Sequence, residues 1–348
     1  MMQNRFHAQR SLMSHRQQGL TLVETMVAIT LGLILTIGIV QFFVGSKRSY
    51  QMQESSNALQ ENGRYAMRAV TDGLRLADHW GGVDGADVNT SLPSVSGFGG
   101  CDNAWILNAA EALKGYEGAS TSPLPNGCID DADYVPDSDV FAVRYADGDY
   151  VDTATVKSGT NPSEIWVRSA VGRRAALFKG ADIANLPADL YDAADEDATG
   201  LYNYRYRITA YFLRPCTTKS GTVCSNTDDN GSPLPALTRL TLNGTRLEEQ
   251  TLVSGVEQMQ LEYGMDTNQD TNVEYYATAT EVEAANQWNR VSSVRISLVV
   301  RGEERSKLPD TNTYTLPSGY TFTPTGDAQY YPRKVFTTVV QIRNRSRA

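Results

Sequence analysis

Side-chain oxygens recur at the spacing a hard cation requires in Asp266-Thr-Asn268-Gln-Asp270-Thr-Asn-Val-Glu274. The donors fall at positions one, three, five and nine of a calcium-loop pattern, so Asp266, Asn268, Asp270 and Glu274 form a candidate Ca²⁺ site. Two positions depart from that pattern: Thr271 stands where glycine normally permits the sharp turn, and Ala277 stands where a bidentate carboxylate would close the shell. A solvated turn between two strands would use the same polar residues.

Four cysteines offer the second kind of chemistry. They fall as Cys101 with Cys128 and Cys216 with Cys224, without a CxxC pair and with His79 as the one histidine beyond residue 19, which disfavours zinc. Three connectivities are open for two disulfides. Pairing 101–128 and 216–224 is preferred, because each bond would staple a Gly-, Pro-, Asn-, Ser- or Asp-rich loop that lacks an apolar period.

Catalytic machinery is not expected. No GxxxxGK[ST], HExxH or GxSxG pattern occurs, and His7 and His15 lie in the first 19 residues. The acidic clusters Asp130-Asp131-Ala-Asp133 and Asp195-Glu196-Asp197 read as solvated loops, since nothing in the sequence gives them an apolar, pKa-raising setting.

The remaining candidate is Glu24, one carboxylate inside an apolar run from Leu20 to Val44. Those 25 residues would reach about 37 Å as a helix, enough for a hydrocarbon core of about 30 Å. Arg5, Arg10 and Arg16 precede them with no acidic residue, a bias that keeps the N-terminus cytoplasmic and exports the chain beyond the apolar run. A carboxylate among Leu22, Val23, Met26, Val27 and Ile29 is costly in lipid unless a cation or water meets it. The small residue Gly19 lies before the apolar core and not after it, so cleavage there would leave the helix attached.

These residues must be positioned by a larger body. At 348 residues, with 41% hydrophobic and 20% charged content, the chain is long enough for a globular region beyond the helix. Its formal charge of −9, or −12 once the three arginines of residues 1–19 are removed, disfavours non-specific attraction to nucleic acid. Apolar positions continue at Leu59, Ala66, Val70, Leu74 and Ala77, one helical face, up to a stop at Gly81-Gly82. One helix from Leu20 to about His79 is therefore expected, with local softening at Gly32 and Gly38.

Residues 81–136 read as a loop-rich insertion with one short helix around Ala104–Leu113. Strands are expected over 140–145, 164–168, 202–213, 237–242, 256–263, 291–301 and 334–342, where β-branched and aromatic residues alternate between turn signals. The absence of helical patterns between them favours antiparallel pairing. Tyr202, Tyr204 and Tyr206 share one strand face, which reads as core-facing in preference to a glycan- or partner-binding row.

The run Gly19-Leu-Thr-Leu-Val-Glu24 with its basic leader resembles the class III signal of type IV prepilins and pseudopilins. That resemblance implies cleavage by a prepilin peptidase between Gly19 and Leu20, N-methylation of Leu20, and pairing of Glu24 with a neighbouring subunit's terminal amine. The C-terminal part resembles the PilW family of minor pilins in Val253-Ser-Gly-Val-Glu-Gln-Met-Gln-Leu-Glu-Tyr-Gly264, the Asp-Thr-Asn turn after it, Trp288-Asn-Arg-Val-Ser-Ser-Val-Arg-Ile-Ser-Leu298 and Arg333-Lys-Val-Phe-Thr-Thr-Val-Val-Gln-Ile-Arg-Asn344.

The resemblance implies an α+β, pilin-like fold. In it a leader (1–19), a transmembrane helix (20–44) and a periplasmic half-helix (45–80) precede the insertion (81–136) and an antiparallel sheet domain (137–348). It also implies an inner-membrane protein that joins other minor pilins and the major pilin through the pilus assembly machinery. Such a subunit would prime pilus assembly and end at the cell surface, near the filament tip and any tip adhesin. Twitching motility, adhesion or DNA uptake would come downstream, with no direct nucleic-acid contact. A type II secretion pseudopilin shares the signal and helix; a membrane-anchored periplasmic binding protein or hydrolase is the reading from another class.

Overall fold

The computed structural model describes residues 19–91, 101–158, 164–244 and 246–345. Residues 1–18 of the expected leader and residues 92–100 of the expected insertion lie outside them. The chain divides into two compact units, residues 1–54 and 55–348.

Helix α1, Leu22–Leu76, is continuous through Gly32 and Gly38. It starts where the Thr21 carbonyl accepts the Thr25 N–H at 3.2 Å. It stops three residues short of His79 because Asp78 takes a left-handed backbone, φ 65°, and donates its N–H to the Arg144 carbonyl on a sheet strand at 3.2 Å. In the first unit the apolar side chains from Leu22 to Val44 are exposed. In the second unit, α1 buries Ser55, Leu59, Gly63, Ala66, Val70, Gly73 and Leu74, a stripe that advances by three or four residues a step as far as Gly73, with Leu74 beside it. Leu59, Ala66, Val70, Leu74 and Ala77, the expected packing face, are all buried.

Two sheets receive that stripe. The large one contains β1 (Val88–Asn89), β2 (Leu113–Tyr116), β3 (Val140–Val151), β4 (Ile165–Ala170), β5 (Arg174–Lys179), β6 (Leu201–Arg214), β7 (Ala236–Asn243) and β8 (Arg246–Ser254). Its order is β1-β5-β4-β6-β3-β2, with β7 continuing on β6 and β8 on β7. The smaller sheet orders β10 (Tyr275–Ala277), β9 (Val256–Met265), β11 (Val291–Arg301) and β14 (Arg333–Gln341). A hairpin of β12 (Tyr314–Thr315) and β13 (Thr321–Phe322) lies within the connection from β11 to β14. Pairing is antiparallel except between β1 and β5, which run parallel.

All seven expected strands form, most of them longer than expected. The strands not anticipated are short (β1, β2, β10, β12, β13) or lack the alternation of a half-buried strand (β5, Arg-Ala-Ala-Leu-Phe-Lys). The last unanticipated strand, β8, Arg-Leu-Glu-Glu-Gln-Thr-Leu-Val-Ser, does alternate but is rich in polar residues.

The described residues of segment 81–136 are mostly loop, and they pack on one face of the large sheet. Alternation along β3 and β6 sends Phe141, Val143, Tyr211 and Leu213 toward α1 and the small sheet. Val140, Ala142, Ile208, Ala210 and Phe212 point to the opposite side, where Trp80, Trp105, Ile106, Leu107, Ala109, Ile129 and Tyr134 cover them. The helix expected over 104–113 shrinks to Asn103–Ile106, capped by the Asp102 side chain. Leu113 is drawn into β2 instead, because pairing with Val143 satisfies its backbone and buries its side chain. A third apolar cluster forms around Trp166, Phe178, Ile183 and Leu190.

Candidate functional site

At the N-terminus the sequence itself sets the geometry. Gly19 and Leu20 lie ahead of the helix in exposed, non-helical chain, with Leu20 70% exposed. Thr21 accepts the Glu24 N–H on its side-chain hydroxyl at 3.3 Å, so Thr21-Leu-Val-Glu24 supplies the first half of a capping box with the carboxylate in the first helical turn. Glu24 is thus held one turn from the Gly19–Leu20 peptide, exposed beside Leu22, Val23 and Met26. The Thr21 contribution has a sequence signal of its own, T-x-x-E before an apolar run.

The threonines beyond Glu24 satisfy themselves within the helix. The Thr25, Thr30 and Thr36 hydroxyls donate to the carbonyls of Leu22, Val27 and Gly32 at 2.8, 2.9 and 2.8 Å. In a medium without water this leaves the Glu24 carboxylate, the one ionisable side chain of residues 20–44, in need of an outside partner. The helix is long and apolar enough to cross a membrane.

Both disulfides take the preferred local pairing, Cys101–Cys128 and Cys216–Cys224, with Cα atoms 4.3 and 5.7 Å apart. A polar chain that the sequence does not foreshadow joins the two stapled segments. Asp133, 2% exposed, receives the Lys219 ammonium at 2.6 Å and the Cys224 N–H at 2.7 Å. Lys219 also reaches Glu249 at 2.7 Å, and Glu249 meets Arg214 at 3.2 Å. A groove of about 460 Å³ runs past this chain, lined by Asn126, Cys128, Asp131, Lys219, Thr222 and Glu249.

Neither acidic cluster is merely solvated. Asp130 caps a short helical turn through the Ala132 N–H, Asp131 accepts the Ser122 N–H at 2.9 Å and Asp133 is buried. In the other cluster, Glu196 pairs with Lys157 and Tyr191. Those partners hold the Glu196 carboxyl below its ordinary range, the Lys157 contact foremost. Asp197 accepts the Thr153 N–H and hydroxyl at 3.0 and 2.7 Å. Arg168, fully buried, then fastens the same loop through the carbonyls of Leu190 and Glu196.

Of the tyrosine row, Tyr206 is core, stacked on Trp80 with centroids 6.2 Å apart. Tyr202 and Tyr204 are half-buried, while Asn203, which alternation puts on the opposite face of the strand, is buried and accepts a hydrogen bond from Arg168 at 2.9 Å. Elements cover both faces at this end of β6, a fact periodicity does not encode.

The acidic turn connects β9 to β10. Carboxylate oxygens of Asp266, Asp270 and Glu274 lie within 4.8 Å of one another. Asp266 accepts the N–H groups of Asp270 and Thr271 at 3.1 and 2.9 Å, and Glu274 accepts that of Thr267 at 2.8 Å. Asn268 directs its amide to Asp270. The Asn272 backbone N–H, first among its contacts, holds the Asp270 carboxyl below its ordinary range. Thr271 takes φ 72°, the left-handed conformation that glycine usually supplies at this position. Ala277 lies buried in β10 and offers no twelfth-position oxygen.

Comparison with known proteins bears on both ends of the chain. Residues 14–40 match the model of the prokaryotic N-terminal methylation motif, and residues 223–344 match that of type IV pilus-assembly protein W. No curated protein sequence matches the chain. Among solved structures, a type IV-like pilin from Thermus thermophilus is similar at 16% identity, covering 56% of this chain and 95% of that one. The TM-score of that match is 0.21. The methylation-motif match lies on the apolar start of α1 and the W-type match runs from β7 to β14, so the two ends of the chain are similar to a prepilin-type minor pilin of the type IV pilus-assembly protein W kind.

Proposed function

We propose that this minor pilin takes part in priming type IV pilus assembly and acts by association, without catalysis. A prepilin peptidase cuts between Gly19 and Leu20 and methylates the new terminus. Residues 20–44 hold the subunit in the inner membrane with the chain beyond residue 44 on the periplasmic side. During assembly the Glu24 carboxylate receives a neighbouring subunit's terminal amine, and the sheet domain selects other minor pilins, so the subunit ends near the filament tip. Motility, adhesion or DNA uptake result from the filament.

The observation that carries this reading is the single outward carboxylate one turn beyond an exposed Gly19–Leu20 peptide, in a helix whose neighbouring threonine hydroxyls are internally bonded. A charge there is expensive in lipid and is relieved by an amine brought by another helix. Mass spectrometry of the mature protein tests it: a methylated Leu20 is expected, and an intact Met1 or another cleavage site would sink it. The W-type segment favours a pilus over a secretion pseudopilin. Deleting the gene is therefore expected to abolish surface pili while folded exoproteins are still secreted.

For the acidic turn we propose Ca²⁺ as ligand, held by Asp266, Asp270 and Glu274 with Asn268 at its edge. The three convergent carboxylates and the left-handed Thr271 support this, and the ion would supply order to the β9–β10 connection.

A further inference from the structure

Where the approach to β3 meets the small sheet, buried Asp139 and Tyr263 lie beside half-buried Glu117, three acidic groups from three segments. Asp139, 2% exposed, accepts the Gly118 N–H at 2.8 Å on one oxygen and the Leu261 N–H at 2.7 Å on the other. Gly118 comes just after β2 of the large sheet and Leu261 lies in β9 of the small one, so one carboxylate stitches the two sheets. The Asp139 N–H itself goes to the Met259 carbonyl at 2.9 Å. Beside it, Glu117 has a buried Oε2 without a hydrogen-bond partner, and fully buried Tyr263 has an unpartnered Oη. The Tyr263 hydroxyl occupies the space that a Cβ on Gly115 would need, 1.8 Å from it.

The titratable groups facing this site are acids and phenols: Tyr116 from β2, Tyr134 and Asp137 from the approach to β3, Glu281 from the helix Ala279–Ala285, and Tyr320 from the β12–β13 connection. The start of that helix also donates to Glu117 through the Thr280 and Ala279 N–H groups and the Thr278 side chain. Lys114 on β2 is engaged elsewhere, by Glu111 at 3.0 Å and Glu283 at 2.5 Å. Two neighbouring carboxylates, one buried and one half-buried, cannot both ionise cheaply. A proton kept by the pair removes one charge and supplies a donor where an acceptor has none. Burial first, and the Glu117 charge second, push the Asp139 carboxyl up to about 7. Burial also raises Glu117 and keeps Tyr263 protonated well above the usual phenol range.

We propose that Glu117, Asp139 and Tyr263 form a proton-operated latch between the two sheets, closed while the carboxylate pair holds one proton and loosened when that proton leaves. A carboxyl raised in the folded state adds stability that is complete below its unfolded value, near 3.8, and is lost as pH rises through about 7. This is opposite in sign to an ion-paired carboxylate.

The test uses the full chain in detergent micelles. Between pH 6 and pH 8 the folding equilibrium constant from urea titration is expected to fall about tenfold. Protection of the Leu261 and Gly118 amides, corrected for intrinsic exchange rates, should fall over the same interval. Glu117→Gln removes the like charge and should flatten the dependence, as should Asp139→Asn. If Asp139→Asn does not fold, the parent's amide exchange and Glu117→Gln decide the matter. Equal parent stability at pH 6 and 8, or an unchanged dependence in Glu117→Gln, would overturn the latch.

Discussion

Gly73 on α1 lies directly against Tyr211 on β6: a Cβ built on the glycine would sit 2.2 Å from the tyrosine hydroxyl oxygen. Gly63 repeats the relation with Phe336 on β14, whose ring would also be 2.2 Å away. One helix thus reaches both sheets by presenting hydrogens where aromatic rings arrive.

Alanine at Gly63 or Gly73 should therefore destabilise the second unit, although it improves helix propensity by about 1 kcal/mol. Overpacking against a ring in a close-packed core costs about 1–3 kcal/mol, and three Phe336 ring atoms would lie within 2.7 Å of the new methyl. Urea titration is expected to show lower midpoints for both variants. A higher midpoint for either would mean that the ring moves aside freely.

Lys219 neutralises Asp133 where that carboxylate is 2% exposed. Lys219→Met should cost about 3–5 kcal/mol, the loss seen when a buried charge is stranded. The double variant Lys219→Met, Asp133→Asn should recover part of it. A double-mutant cycle with no coupling would show that the Cys224 N–H alone supports the aspartate.

The two disulfides differ in the chain length they close. With separations of 27 and 8 residues, loss of Cys101–Cys128 should cost about 3.5 kcal/mol and loss of Cys216–Cys224 about 2.5 kcal/mol on the chain-entropy estimate. Paired Cys→Ser variants compared by denaturant midpoint check both order and size.

Glu24→Gln keeps size and helix propensity while removing the charge that a neighbouring amine would meet. Such a subunit should reach the membrane and be processed at Gly19, yet enter filaments poorly, with surface pili counted by electron microscopy. Normal piliation would contradict the assembly role assigned to the carboxylate.

Calcium should raise the melting temperature of the parent protein and leave an Asp266→Ala, Asp270→Ala variant unmoved. No response of the parent to millimolar Ca²⁺, with EGTA as the reference, would reduce the acidic turn to a self-bonded connection.

Much of this fold was legible because it is local. The buried stripe on α1 arises from helical period, the seven long strands from alternation, and the disulfide partners from loop composition. The Gly, Asn and Ser content of residues 81–136 reads as loop, and loop it mostly is; what that content does not reveal is that sparse apolar residues such as Trp105, Ile106 and Ile129 cover one sheet face.

By itself the sequence determined the N-terminal geometry: Gly19 and Leu20 lie just ahead of the helix that Thr21 caps at Glu24, and the apolar run to Val44 needs no distant contact to be long enough to cross a membrane. The tertiary structure alone decided that Asp133 meets Lys219, that Gly63 and Gly73 are glycines for the sake of rings more than 100 residues away in sequence, and that Asp139 joins two sheets. The physical reason is that burial and charge pairing are set by which segments topology brings together, and no local period carries that information.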